Sequence, residues 1–529
     1  MKNSLIILVV IFSFFESSFA QNLDFKVKWG KEFKASSKSS LNDIVGHDGK
    51  GVYVVKERYR GALAGGTDYT LEHYDNNFLP TKSFDLDIEE DGKDAEVDYL
   101  LHLKNKIFLF YSIADRKSKI NTLFVKEVDK TTLQPKEEKK KIGEINYEGK
   151  SKRNTGEFFF RISRDSSKVM VVYSLPYDDD EPESFGFNVL DDKLNSIWQK
   201  DITIPYSDKL FDIESFRVDN QGNAYLLGLV YKEKRKDKRK GQPNYTYEVF
   251  AFRDKGTSMK QYPIQLEDRF LRDMQIEILD NRNLVCAGFY SAKGTLSIRG
   301  TYFFVVDAAT KEIKTKSFKE FGIDFITQNM SEREAKKTAR REEKGEDVEM
   351  YEYDLDKLLV GKDGSAMLIG EQYFVRTVTS TTMMNGVAST RTTYHYYYND
   401  IITVKIDPSG QIQWAQKIPK SQHTVNDGGF YSSYTMALVK GKLCFLFNDS
   451  PKNLEEETKG RPANYNAKKS VVVIASLDQK GNVTKQPIFN AVDAEVIMRP
   501  KVCEQISNNE IILFGQRRKN QQFARLIFE

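Results

Sequence analysis

Tyr394, His395, Tyr396, Tyr397 and Tyr398 follow one another inside the run TTYHYYYND, Thr392 to Asp400. Four phenols and an imidazole can stack on the flat faces of sugars or anchor a protein, because each ring joins an apolar body to a polar tip. These five residues are the expected partner-binding group, for a protein or a glycan partner. Two charged runs are the other surface candidates: YDDDEPES (Tyr177–Ser184) and KEKRKDKRK (Lys232–Lys240). The basic run could attract an anionic glycan or lipopolysaccharide, although a solvated loop needs no partner. The contiguous aspartates Asp178–Asp180 lack the alternating carboxylates of a calcium loop.

Enzymatic chemistry has no comparable foothold. His47, His73, His102, His395 and His423 are scattered without ligand spacing. Cys286, Cys444 and Cys503 lie far apart inside apolar runs, NLVCAGF, KLCFLF and PKVCEQI. Such a set is neither a disulfide framework nor a zinc site, so the three thiols are expected to pack as small buried apolar groups. H-E-x-x-H, G-x-S-x-G, phosphate-binding glycine loops and the sialidase-type box are all missing. No catalytic, metal-ligating or cofactor-binding residue is assigned, and no cofactor is expected.

The elements that must position these residues form a repeat. Seven apolar segments end in an aspartate followed by a turn, at Asp75, Asp129, Asp191, Asp254, Asp307, Asp407 and Asp478. Upstream of these lie eight copies of a turn leading into a strongly apolar strand, such as KNKIFLF from Lys104 and KGKLCFLF from Lys440. Repetition at this spacing means one supersecondary unit copied along the chain. Each unit reads as four strands, a to d, with the apolar strand b covered on both faces. The aspartates are expected to cap turn N–H groups rather than bind metal. Eight b strands against seven aspartates leave the last unit, ending at QFARLIFE, without its strand d. Trp29, Trp198 and Trp414 share one register in FKVKWGKEF, SIWQKDI and IQWAQKI. The segment around Trp29 is therefore a strand d, and it completes the last unit. The expected fold is all-β, a β-propeller of eight four-stranded blades closed by the N-terminal strand, with seven blades as the competitor.

Long connections concentrate between strands b and c: Gly61–Asp68, Tyr177–Ser184, Lys232–Asn244, Thr377–Arg391 and Asn448–Lys468. A charged insertion, 322–352, separates units five and six, and Ser331–Glu349 within it is a helix former without an apolar stripe. In a meander the b–c and d–a connections leave on one face, so that face is the expected binding side. Met1–Ala20 has a basic start, an apolar run from Leu5 to Phe15 and small residues at Ser18 and Ala20, the pattern of a signal peptide. Residues 21–529 are then one domain, secreted or periplasmic, with no transmembrane segment and a monomeric state expected. A net charge of +4 from 80 basic and 76 acidic residues gives no reason to expect nucleic acid.

In DIITVKIDPSGQIQWAQKI, Asp400, Lys405, Ile406, Asp407, Gly410 and Trp414 fit a pattern D-x-x-x-x-K-[LI]-D-x-x-G-x-x-x-W. This resembles the repeat of secreted bacterial β-propeller proteins, as VDNQGNAYLLG (Val218–Gly228) resembles the turn between their strands a and b. The pattern is also similar to the tryptophan-docking motif of eight-bladed quinoprotein-like propellers. Tryptophan occurs here in only three units, and the adjacent cysteines of the quinoprotein alcohol dehydrogenases are missing. The resemblance implies a fold and no chemistry. The expected function is non-catalytic binding through the face with long loops. The alternative is an enzyme acting on glycans, with a site assembled in the central channel from residues distant in sequence.

Overall fold

The computed structural model describes residues 22–529 except 36–38, 61–65, 149–154, 176–180, 237, 240, 265–268, 295, 385–386 and 456–459. The proposed signal peptide and Asp178–Asp180 fall outside the described residues. The rest is all-β, built from antiparallel meanders in which consecutive strands pair. Four meanders occupy 39–85, 96–146, 158–207 and 211–264; four more occupy 270–320, 353–418, 435–490 and 497–528. The described chain divides into two compact units, one within Ser36–Gln265 and the other within Leu266–Glu529 together with residues 22–35. Each unit holds four meanders.

A meander cannot cover both of its faces alone, and strands b and c are apolar on both. Gly51–Tyr59 buries six consecutive residues, and Leu284–Ser291 is buried throughout. Neighbouring sheets therefore pack face to face. In the first unit, Phe187 and Trp198 of the third sheet meet Phe216, Phe250 and Phe252 of the fourth. In the second, Ile369 and Ile401 of the sixth sheet meet Phe445, Val473 and Ala475 of the seventh. The three thiols lie inside these layers, buried and unpaired, and burial pushes each up to about 12.

The recurring aspartates are turn-formers. Asp407 accepts the N–H groups of Ser409 (2.9 Å) and Gln411 (3.0 Å), and Asp478 those of Lys480 and Asn482. Asp75, Asp129, Asp191 and Asp307 do the same. Asp254 departs from the expectation. Its own backbone turns left-handed (φ 52°), and the turn closes on its carbonyl, which accepts the Thr257 hydroxyl at 2.7 Å. Two tryptophans lock one sheet to the next. Trp198 Nε1 donates to the Gly222 carbonyl at 2.8 Å, and Trp414 Nε1 to that of Gln479 at 3.0 Å. Glycine is required beneath both rings: a Cβ at Gly256 would lie 2.9 Å from Trp198, and one at Gly481 2.9 Å from Trp414. Trp29 makes no such bond and instead meets Phe489 edge-on at 4.8 Å.

The two ends of the described chain meet in the last sheet. Phe25–Trp29 pairs antiparallel with Asn520–Phe528, from Phe25 opposite Phe528 to Trp29 opposite Ala524. Phe33–Lys34 continues along the same edge. The N-terminal segment thus supplies the outer strand of the eighth meander, as the tryptophan register requires. The insertion between sheets five and six folds into two helices, Ile323–Thr327 and Glu332–Glu343. The second begins with a capping box between Ser331 and Glu334 and buries none of its residues.

Without its N-terminal strand the last sheet exposes an unpaired edge. A chain starting at Ala35 should therefore melt at a lower temperature and associate with itself. A synthetic peptide spanning residues 22–34 should restore both properties when added in trans. Calorimetric titration that shows no binding of this peptide would contradict the pairing.

Candidate functional site: a ribbon above a buried ion-pair network

The aromatic run belongs to the longest hairpin of the protein. Ala366–Met384 and Val387–Ile406 pair from Ala366 opposite Ile406 to Met384 opposite Val387, with one shift of register between Glu371 and Tyr373. The segment Thr377–Arg391, expected as a loop, is thus mostly paired strand. Its composition explains the difference. Thr, Val and Ser fill both arms, β-branched residues dominate, and Thr381 and Thr390 hydroxyls meet across the ribbon at 3.3 Å. The neighbouring strands stop early: Tyr353–Val360 reaches only Gln372, and Ile412–Ile418 only Ile401. Beyond these points the two arms leave the sheet together. A short strand, Gln422–Val425, alone braces the outer arm, opposite His395–Tyr398.

Alternation along the strand splits the five predicted residues between two faces. Tyr397 and His423 stack at 4.4 Å, and Tyr397 also stacks on Phe374 at 4.5 Å, making a row of rings three strands wide. His395 joins this face, its Nδ1 lying 2.9 Å from His423 Nε2. The ring centroids are 5.2 Å apart with an 11° interplanar angle. Burial and His395 both lower the His423 pKa. In the sequence these two histidines show no relation; only their diagonal positions on adjacent strands, His423 opposite Tyr397 and His395 opposite Val425, bring them together.

Tyr394, Tyr396 and Tyr398 occupy the other face. Tyr394 is exposed and Tyr396 half-buried, while Tyr398 is buried against Tyr373 at 4.6 Å. Lys501 donates to the Tyr398 hydroxyl at 2.9 Å and lies 4.3 Å from its ring centre. Below this ring is a network that the sequence reading missed. Lys420 and Glu371, both buried, form an ion pair at 2.6 Å. The ammonium also donates to the Tyr398 carbonyl (2.8 Å) and Gln422 Oε1 (3.2 Å), which uses its three protons. Glu371 Oε2 accepts the Ser433 hydroxyl at 2.7 Å. Asp400 accepts the Lys420 N–H, and Gln422 Nε2 donates to the Asn448 carbonyl. Burial lowers the Lys420 pKa, and Glu371 opposes that shift. Fully partnered, this network fixes the base of the ribbon in one geometry.

Among the described residues, bulges in the first strands of the sheets insert Asn42 and Val45, Asp98, Glu214, Arg272, Asp356 and Ile506. Bulges re-aim side chains, and Asp98, Glu214, Arg272 and Asp356 are charged residues. Asp356 accepts the Tyr434 hydroxyl at 2.6 Å. Its carboxyl is accessible to water yet deeply surrounded by protein, and burial followed by the Glu371 charge raises its pKa. Asp354, two residues earlier, is pushed up to about 6 by burial and by Asp273. Asp98 is pushed up to about 8, chiefly by burial. Among the described residues, no group of three or more His, Cys, Asp or Glu side chains is arranged to hold a metal ion, and no helix is long and apolar enough to cross a membrane.

No protein-family model matches the chain, and no curated protein matches it. Similar solved structures include the β-propeller domain of the Trilobed protease from Pyrococcus furiosus, at 11% identity and a TM-score of 0.34, covering 86% of this chain and 96% of that one. The acylaminoacyl peptidase of Pyrococcus horikoshii matches at 10% identity and 0.33, covering 90% and 57%. A protein of unknown function from Bacteroides caccae matches at 10% and 0.26, covering 66% and 90%.

Removing one member of a buried ion pair strands the other charge. Lys420→Met should cost about 3–5 kcal/mol in denaturant unfolding, and Lys420→Met with Glu371→Leu should recover most of that loss. Equal destabilisation in the single and double variants would contradict the pairing.

The raised Asp98 pKa has a defined sign. Between 3.8 and about 8 the folded state holds a proton that the unfolded chain has released. Stability from this group is therefore full on the acid side and is lost as pH rises through the folded value. Asp98→Asn should stabilise the protein by about 2 kcal/mol near pH 9 and by much less near pH 5. Melting curves at both pH values test this, and an equal effect at both would contradict it.

Proposed function

We propose that the eight meanders are the blades of one propeller, exported by the N-terminal signal peptide, and that the protein is a non-catalytic binding module. The partner is a protein in the envelope or outside the cell, and the contact is the ribbon. The observation that carries this reading is the set of apolar side chains on a preformed arm. Val375, Val378, Met383 (68% exposed) and Tyr394 lie exposed on the ribbon, and Val425 on the strand that braces it. Val375, Met383 and Tyr394 share the face of Tyr396. Burying such groups yields roughly 25 cal/mol per Å², and an arm already ordered avoids the entropic cost of folding on contact. Its outer backbone edges add unpaired donors and acceptors that a partner strand can use.

A photoreactive residue at Val378 or Met383, in protein expressed in its native envelope, should give a discrete adduct that the same residue at Lys480 does not. No adduct, or the same adducts from all three positions, would overturn the reading. A second reading, an enzyme acting on glycans, is favoured by one observation: Asp354 and Asp356 lie beside Glu371 with raised pKa values, so their carboxyls keep a proton for general acid work. It predicts glycan cleavage that Asp356→Asn abolishes.

A further inference from the structure

We infer that a polar cleft at one end of the second sheet, remote in sequence from the ribbon, binds a small zwitterion of the free amino acid class. The cleft has a volume of about 230 Å³ and lies wholly within the first compact unit. Three successive connections build it. Asp94 and Glu96 come from the approach to the first strand, Arg116 and Lys119 from the turn between the second and third strands, and Tyr147 from the end of the fourth. Asp115 closes that turn by accepting the Lys117 N–H at 2.7 Å, so neither Arg116 nor Lys119 is needed to hold it. Tyr147 is fixed by donating its hydroxyl to the Asp115 carbonyl at 2.7 Å, and the Lys119 ammonium lies 6.0 Å from its ring centre.

Two features point to a ligand. The first is Asn121 in the wall of the cleft, 5% exposed. Its Nδ2 donates to the Thr155 carbonyl at 3.4 Å, while its buried Oδ1 has no partner. A buried amide oxygen without a donor costs about 1–3 kcal/mol, and a ligand N–H would relieve that cost. The second is the charge arrangement. Asp94, Glu96, Arg116 and Lys119 surround one cavity, and none of the four forms an ion pair among the described residues. A neutral sugar would answer neither pair of charges, and a simple anion or cation only one. An α-amino acid answers both. Its ammonium donates to Asn121 Oδ1 and to the carboxylates, and its carboxylate accepts from Arg116 and Lys119. The volume admits a ligand of that size.

The experiment titrates the full chain calorimetrically with each common amino acid, then with the methyl ester and the N-acetyl form of any that binds. At least one free amino acid should bind and raise the melting temperature, and both blocked forms should fail. Glu96→Gln and Arg116→Gln, at the rim, should each weaken binding roughly tenfold or more without changing the melting temperature of the free protein. The inference is overturned if no amino acid binds, if a blocked form or a neutral monosaccharide binds equally well, or if both variants bind like the parent.

Discussion

Everything in this protein follows from the fact that its sheets are apolar on both faces. A four-stranded meander with buried b and c strands cannot stand alone; it must be covered on each side by another of its kind. The repeated sequence answers that demand by stacking: Phe187 and Trp198 on Phe216 and Phe250 in one unit, Ile369 and Ile401 on Phe445 and Val473 in the other. Dispersion and area burial supply the driving force. The tryptophan hydrogen bonds to Gly222 and Gln479 fix how far one sheet can slide past the next. An outermost strand is needed wherever the stack would leave an edge, and Phe25–Trp29 fills that role in the eighth meander.

This packing drives chemistry to the ends of the strands. Among the polar groups that enter the layers, Lys420 is the clearest case of full partnering. Its ammonium spends one proton on Glu371, one on the Tyr398 carbonyl and one on Gln422. Such a pair adds little net stability compared with apolar residues of the same size, but it allows only one arrangement of its partners. Those partners are the two arms of the ribbon and the strand that braces it. The ion pair therefore converts a hairpin that would sway into one that holds its exposed valines, methionine and tyrosine in a set direction. In the first unit the same end of a sheet bears a cleft whose charges stay unpaired, which is the opposite solution at an equivalent place.

The repeat was legible because period, turn chemistry and apolar runs are local signals. Asp407 and Asp478 cap the turns that their spacing implied, and the eight b strands lie where the apolar runs put them. The ribbon was half legible. Its rings were visible as a cluster, but Thr377–Arg391 read as a loop because strand continuation past a sheet leaves no boundary residue to announce it. Alternation then divided the cluster, sending Tyr397 toward Phe374 and His423 and sending Tyr398 toward Tyr373 and Lys501. Lys420 with Glu371 and His395 with His423 were invisible, since each pair joins strands whose register no local pattern encodes. The bulged Asp98 and Asp356 were invisible for a related reason: a bulge is a disagreement between two strands, and neither strand records it alone.

Binding through the ribbon requires it to be a rigid arm in the free protein. Hydrogen–deuterium exchange resolved to single amides measures this directly. Those amides of residues 373–376 and 394–398 that pair across the ribbon should exchange as slowly as those of Ile401–Ile406 within the sheet, with rates rising only toward the tip. Exchange at coil-like rates along the whole length from 373 to 398 would contradict the claim.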